Sequence, residues 1–97
     1  MPLFMDIHRN VEGLTAEAVE AAHLRDLELQ RKHHVTMLKY WYDVETRTAF
    51  CLMVGPNKEA CSALHREGHG LVADEIFEVA EGKEPELHLN DETSPSV

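Results

Sequence analysis

The chain reads as an α+β domain of the ferredoxin-like type, a split βαββαβ sandwich with a four-stranded antiparallel sheet and two helices on one face. Three observations predict it. Apolar runs with strand character alternate with two Gly- and Pro-free helical stretches in the order strand, helix, strand, strand, helix, strand. The two middle strands are joined by a short polar connection of hairpin length. At 97 residues the chain has room for one domain, whose core must be thin.

The first strand runs from Leu3 to His8. Leu3, Met5 and Ile7 point to one face and Phe4, Asp6 and His8 to the other. Asn10 to Gly13 turn the chain. Thr15 suits a helix N-cap, and Glu17 adds a negative charge where the helix dipole favours one. From Ala16 to about Lys32 good helix formers dominate. Val35–Asp43 and Thr48–Val54 are rich in β-branched and aromatic residues and form the hairpin around residues 44–47. Gly55-Pro56-Asn57 ends it, Asn57 caps a second helix over Lys58–Glu67, and Gly68 and Gly70 supply its stop. Val72–Val79 is the last strand. Residues 1–82 therefore make the domain, and 83–97, with two prolines and several acids, a polar flexible tail.

With both helices on one face, the other face of the sheet is left open. Phe4, Trp41 and Met53 are expected to point that way, and an apolar patch there marks a partner surface. Homodimerisation through it is the natural outcome for this architecture.

Eighteen acidic residues against nine Lys and Arg leave a net charge of -9. Nucleic acids and anionic membranes repel such a surface, so neither is an expected partner. A metal cation suits it better. Two cysteines, Cys51 and Cys61, are too few for a disulfide framework. No signal peptide and no apolar run of membrane-spanning length is evident, so the expected location is the cytoplasm.

Seven histidines amid many carboxylates favour metal chemistry, because neutral imidazole and carboxylate both ligate transition ions. His65 and His69 are spaced i, i+4 and would share one face of a continuous helix. Such a pair is a weak signal alone. Arg66 stands where a zinc protease would need glutamate, which excludes that class. Topology adds more. In a split βαβ fold the first strand ends at the edge where the second helix ends and the last strand begins, bringing Asp6 and His8 toward His65, His69, Asp74 and Glu75. His33 and His34 fall at the opposite edge. The expected ligands are Asp6, His8, His65 and His69, with Glu75 as an outer candidate. His23, Asp26 and Gln30 read as a polar strip on the first helix, and Cys51 as a small core residue.

Three blocks carry a family likeness: Pro2-Leu3-Phe4-Met5-Asp6-Ile7-His8-Arg9, Ala22-His23-Leu24-Arg25-Asp26-Leu27 and His65-Arg66-Glu67-Gly68-His69-Gly70. Together they resemble a bacterial family of small nickel-binding proteins, first catalogued as a domain of unknown function, over roughly residues 1–82. The resemblance implies a dimeric ferredoxin-like domain that takes up nickel, with His8, His65 and His69 among the residues that matter. It departs at Gly68, where the family pattern has alanine. The function expected is that of a nickel buffer, sensor or carrier; zinc, cobalt and copper suit the same ligands. The alternative is an enzyme or small-molecule-binding domain on a dimeric αβ barrel, with His69 or His8 as general base and Tyr40 or Trp41 lining a pocket. A plain protein-interaction module is the third reading.

Overall fold

A computed structural model describes residues 1–86. It contains β1 (Leu3–His8), α1 (Ala16–Leu29), β2 (Thr36–Asp43), β3 (Thr48–Val54), α2 (Lys58–Gly68) and β4 (Glu75–Val79). The expected βαββαβ order is present, in one sheet of strand order β2-β3-β1-β4. All three pairings are antiparallel. Residues 83–86 are exposed and have no secondary structure; the rest of the expected tail lies outside the described residues.

Local chemistry sets the element ends. Thr15 and Asn57 have extended backbones and accept hydrogen bonds from the Ala18 and Ala60 amides, as N-caps do. The first helix stops three residues earlier than its composition suggests. Residues 32–34 each donate to the carbonyl three positions back, and His34 takes a left-handed φ of 60°. Val35 N–H then closes on the Gln30 carbonyl, which launches β2. At the other helix end the His69 and Gly70 amides both donate to the His65 carbonyl, and Gly70 takes a φ of 82°.

Pairing register decides which side chains lie beneath the helices. Phe4, Met53 and Met37 form one cross-sheet row on the helix side, and Asp6, Cys51 and Tyr40 form the next. His8 and Ala49 follow. A bulge between Met37 and Lys39 shifts the parity of β2, so Tyr40 rather than Lys39 joins the inner face.

The expectation that Phe4 and Met53 face outward is thereby corrected. They are 2% and 0% exposed and belong to the core with Val35, Met37, Cys61 and Leu64. Phe4 shares its parity with Asp6 and His8, and all three are roofed by the helices. Trp41 does lie on the open face, opposite Phe50, in the row that begins at Ile7. Leu3, Met5, Leu52 and Phe77 share that face through the same registers. The space between sheet and helices has two halves. One is the apolar core; the other holds the four buried polar residues Asp6, His8, Asp26 and His65.

Candidate metal centre

Every buried polar group must find a partner or destabilise the fold. At this edge they find one another. Asp6 projects from β1 and accepts from the Cys51 amide at 3.1 Å through Oδ1. Its Oδ2 lies 2.8 Å from His65 Nε2. On its other side, His65 Nδ1 is 3.0 Å from Asp26 Oδ2. His65 of α2 therefore bridges a carboxylate of β1 and one of α1, tying both helices to the sheet. His69, one turn later, places Nε2 at 3.2 Å from the same Asp26 oxygen. The Leu71 amide donates to His69 Nδ1, so the ring's proton sits on Nε2 and points at Asp26.

His8 completes the group. Its ring centroid is 5.1 Å from that of His65 and 6.4 Å from that of His69, while His65 and His69 are 4.9 Å apart. Its Nε2 comes within 3.2 Å of Asp6 Oδ1, but the angle is poor, and neither ring nitrogen has a hydrogen-bond partner. Asp26 Oδ1 is likewise buried and unpartnered.

Burial alone would hold these groups neutral. The mutual pairing reverses that. Burial works against the charged form of Asp6, yet its hydrogen bond to His65 and the close His8 ring hold the carboxyl down at about 2. Burial would likewise lower His65, but hydrogen bonds to Asp26 and Asp6 push it up to about 12. His8 goes up to about 9: burial opposes the charge, and Asp6 and Cys51 outweigh it. Asp26 stays below the usual carboxylate range, because His65 and His69 outweigh its burial. Without an ion, the centre is thus a compact lattice of imidazolium and carboxylate.

Two overlapping donor sets share His65. Asp6, His8, Cys51 and His65 offer donor atoms that all lie within 4.8 Å of one another, and so do Asp26, His65 and His69. The family model of the SCO4226-like nickel responsive proteins matches residues 4–79, a span that holds every one of these residues. The chain belongs to that family.

A solved relative of the SCO4226-like proteins, SCO4226 from Streptomyces coelicolor A3(2), is 37% identical, with a TM-score of 0.76 over 84% of this chain and 99% of its own. No curated protein matches the chain.

In this member of the SCO4226-like family the donor chemistry fits a first-row transition ion. Imidazole nitrogens and carboxylate oxygens, with one thiol, are the ligand types such ions take. Asp26 Oδ1 and the His8 ring nitrogens are buried positions that no hydrogen bond uses, and His8 offers a lone pair to an ion once it gives up a proton.

Of the residues singled out by spacing and topology, the fold brings Asp6, His8, His65 and His69 together. It does not bring Glu75. That residue pairs with Ile7, which faces the open side of the sheet, and it is bound instead to the Arg9 guanidinium. Asp74 caps the end of β1 by accepting from the Arg9 amide. His33 does not stay at the far edge: its Nε2 sits 2.6 Å from Glu67 of α2, on the outer surface and apart from the buried cluster. Two residues gain a place that their spacing did not suggest. Asp26 is 2% exposed rather than part of a solvated strip. Cys51 is opposite Asp6 in the sheet, so its side chain shares the inner face.

Beside the cluster lies a cavity of about 120 Å³. Val11, Leu14, Val19, Ala22 and Leu71 line it, and His8, Asp26, Cys51 and His69 bound it toward the cluster. Tyr40 lines it as well, with its ring 4.5 Å from that of His23. Trp41, on the opposite face of the sheet, does not.

Proposed function

We propose that this protein binds nickel through the buried cluster of Asp6, His8, His65, His69 and Asp26, and serves as a nickel buffer, sensor or carrier. One observation carries the reading. Three imidazoles and two carboxylates converge from three separate elements in the interior, and His8 there lacks any partner for either ring nitrogen. Leaving such groups unsatisfied is costly, so a fold that retains them has a use for their lone pairs. A bound divalent ion supplies the positive charge that protons on His8 and His65 supply in its absence. Asp6 and Asp26 fix the rings from two sides, and the Cys51 amide fixes Asp6 in turn.

The open sheet face supports a second part of the proposal, a homodimer formed through Trp41, Phe50 and Phe77. No helix among the described residues is long and apolar enough to cross a membrane. With the acidic surface, this supports a cytoplasmic protein whose partner is a cation rather than nucleic acid or lipid.

Calorimetric titration of the metal-free protein with nickel tests the reading. Saturable binding is expected in the parent chain. His8→Phe, which keeps ring volume and removes both nitrogens, and His69→Gln should each weaken it by at least about ten-fold, the cost of losing one ligand or its support. Equal affinity in all three proteins would refute the buried cluster as the site.

A further inference from the structure

Helix α1 is turned in an unusual way for a helix that covers a sheet. Leu29 packs against the core, but Leu24 and Leu27 are 51% and 36% exposed, whereas Val19, Ala22, His23 and Asp26 line the cavity below. Core-facing helices ordinarily place their leucines inward, because filling space against the sheet is what stabilises them. Here the helix presents short side chains to the sheet and leaves the space between them open. Ala49, on the strand beneath, is also short and adds to the opening.

The cavity has the size and lining of a binding pocket. An apolar cavity of about 150 Å³ admits a benzene ring, and this one measures about 120 Å³, with the exposed Glu12, Gly13 and Ala18 in its lining. Its walls are mostly carbon, so a charged occupant would lose hydration without recompense. Its inner end is not wholly apolar. His8, only 5% exposed, forms part of the wall with no hydrogen bond to either ring nitrogen; Nδ1 of His23, whose ring lies tilted 4.5 Å from that of Tyr40, has none either.

We propose that the cavity beneath α1 is a binding site for a neutral, single-ring organic molecule carrying one hydrogen-bonding group. The ring packs between Val11, Leu14, Val19 and Leu71, and the polar group meets the histidine-bearing end, where a small rotation of an imidazole supplies the contact. An anion is disfavoured by the apolar wall, by Asp26 and Glu12 at its margins and by the net charge of -9, and the positive charge of His8 is already balanced by Asp6. This site goes beyond the nickel reading and does not require it.

The test is an amide NMR titration of the full chain, freed of metal by chelation, with phenol as the neutral probe and benzoate as the charged one. Saturable phenol shifts are expected at Leu14, Val19, Ala22 and Leu71, at millimolar concentration or below, with benzoate weaker by at least about ten-fold. Ala22→Leu fills the cavity and should abolish the phenol shifts; Ala18→Leu, nearer solvent at the mouth, serves the same purpose if the first variant does not fold. Absent or non-saturating phenol shifts, shifts that persist in a folded cavity-filling variant, or benzoate binding as tight as phenol would each overturn the proposal.

Discussion

Gly68 and Asp26 are in such close approach that a Cβ on residue 68 would stand 2.7 Å from Asp26 Oδ1. Glycine near a helix end is ordinarily read as a stop signal. Here it also makes room for a buried carboxylate that accepts from His65 and His69. Gly68→Ala gains up to about 1 kcal/mol of helix propensity. It must also displace Asp26 from hydrogen bonds to charged partners worth about 1.5–3 kcal/mol each. The net expectation is destabilisation by about 1–2 kcal/mol, measured by denaturant unfolding of the metal-free protein. In an Asp26→Ala background the same change should become neutral or stabilising, because the clash is gone. A destabilisation of equal size in both backgrounds would show that Asp26 is not its cause.

The charge lattice makes nickel binding a proton-releasing event. In the metal-free protein His65 and His8 are raised to about 12 and about 9, so both rings carry a proton at neutral pH, and ligation must remove them. Affinity should therefore rise as pH climbs from 6 toward 9. Calorimetry in buffers of different ionisation enthalpy should show release of about one to two protons per ion. A binding enthalpy independent of the buffer would contradict the assignment.

Stability of the metal-free fold rises with pH at the acid end and falls above neutrality. Asp6 is depressed from 3.8 to about 2, so its contribution is present above pH 3.8 and fades as pH falls through 2. That contribution is on the order of 2 kcal/mol. The raised histidines contribute fully below 6.5 and lose their share as pH rises through their folded values. Unfolding free energy of the metal-free chain should thus be highest between about pH 4 and 6.5. Asp6→Asn should flatten the acid limb of this curve, and an unchanged limb would remove Asp6 from the account.

Element order was legible because the caps and breakers are local. Thr15, Asn57 and Gly55-Pro56 mark their ends within a few residues of themselves. The early stop of α1 was not, since residues 30–34 contain neither glycine nor proline and His34 adopts its left-handed turn without either. The convergence of His8 with His65 and His69 followed from topology. The roles of Asp26 and Cys51 did not, because each depends on a contact far along the chain. Asp26 meets a ring 39 positions away, and Cys51 enters through its register opposite Asp6. The facing of Met53 was obscured by a strand apolar on both sides, that of Phe4 by Asp6 and His8, which give its face of β1 a polar look although the helices cover it, and Glu75 by a register that only the β1–β4 pairing reveals.

Cys51 gives the centre a spectroscopic handle. Its thiol belongs to the donor set with Asp6, His8 and His65, and a thiolate bound to cobalt absorbs in the near-ultraviolet by charge transfer from sulfur. Cobalt loading of the parent chain should produce that band. Cys51→Ser should lose the band yet retain cobalt through the imidazoles, with affinity reduced by about ten-fold. Cobalt binding in the parent without the band would place the ion in the Asp26, His65 and His69 set instead.

Apolar side chains also meet solvent across the open sheet face. Trp41 and Phe77 are 43% and 44% exposed, on opposite edge strands of the sheet, with Met5, Ile7, Phe50 and Leu52 between them on the same side. A second copy laid across this face would bury the patch, and a stable interface needs about 800 Å² per partner, which a four-stranded sheet face can offer. Sedimentation of the parent chain should then report a dimer at micromolar concentration. Trp41→Glu with Phe77→Glu sets four like charges into the interface of the pair, a desolvation and repulsion cost large enough to shift the chain to monomer. The metal cluster lies on the other face, beneath the helices, so the monomeric variant should bind nickel as the parent does. A parent that sediments as a monomer would leave the sheet face without this partner.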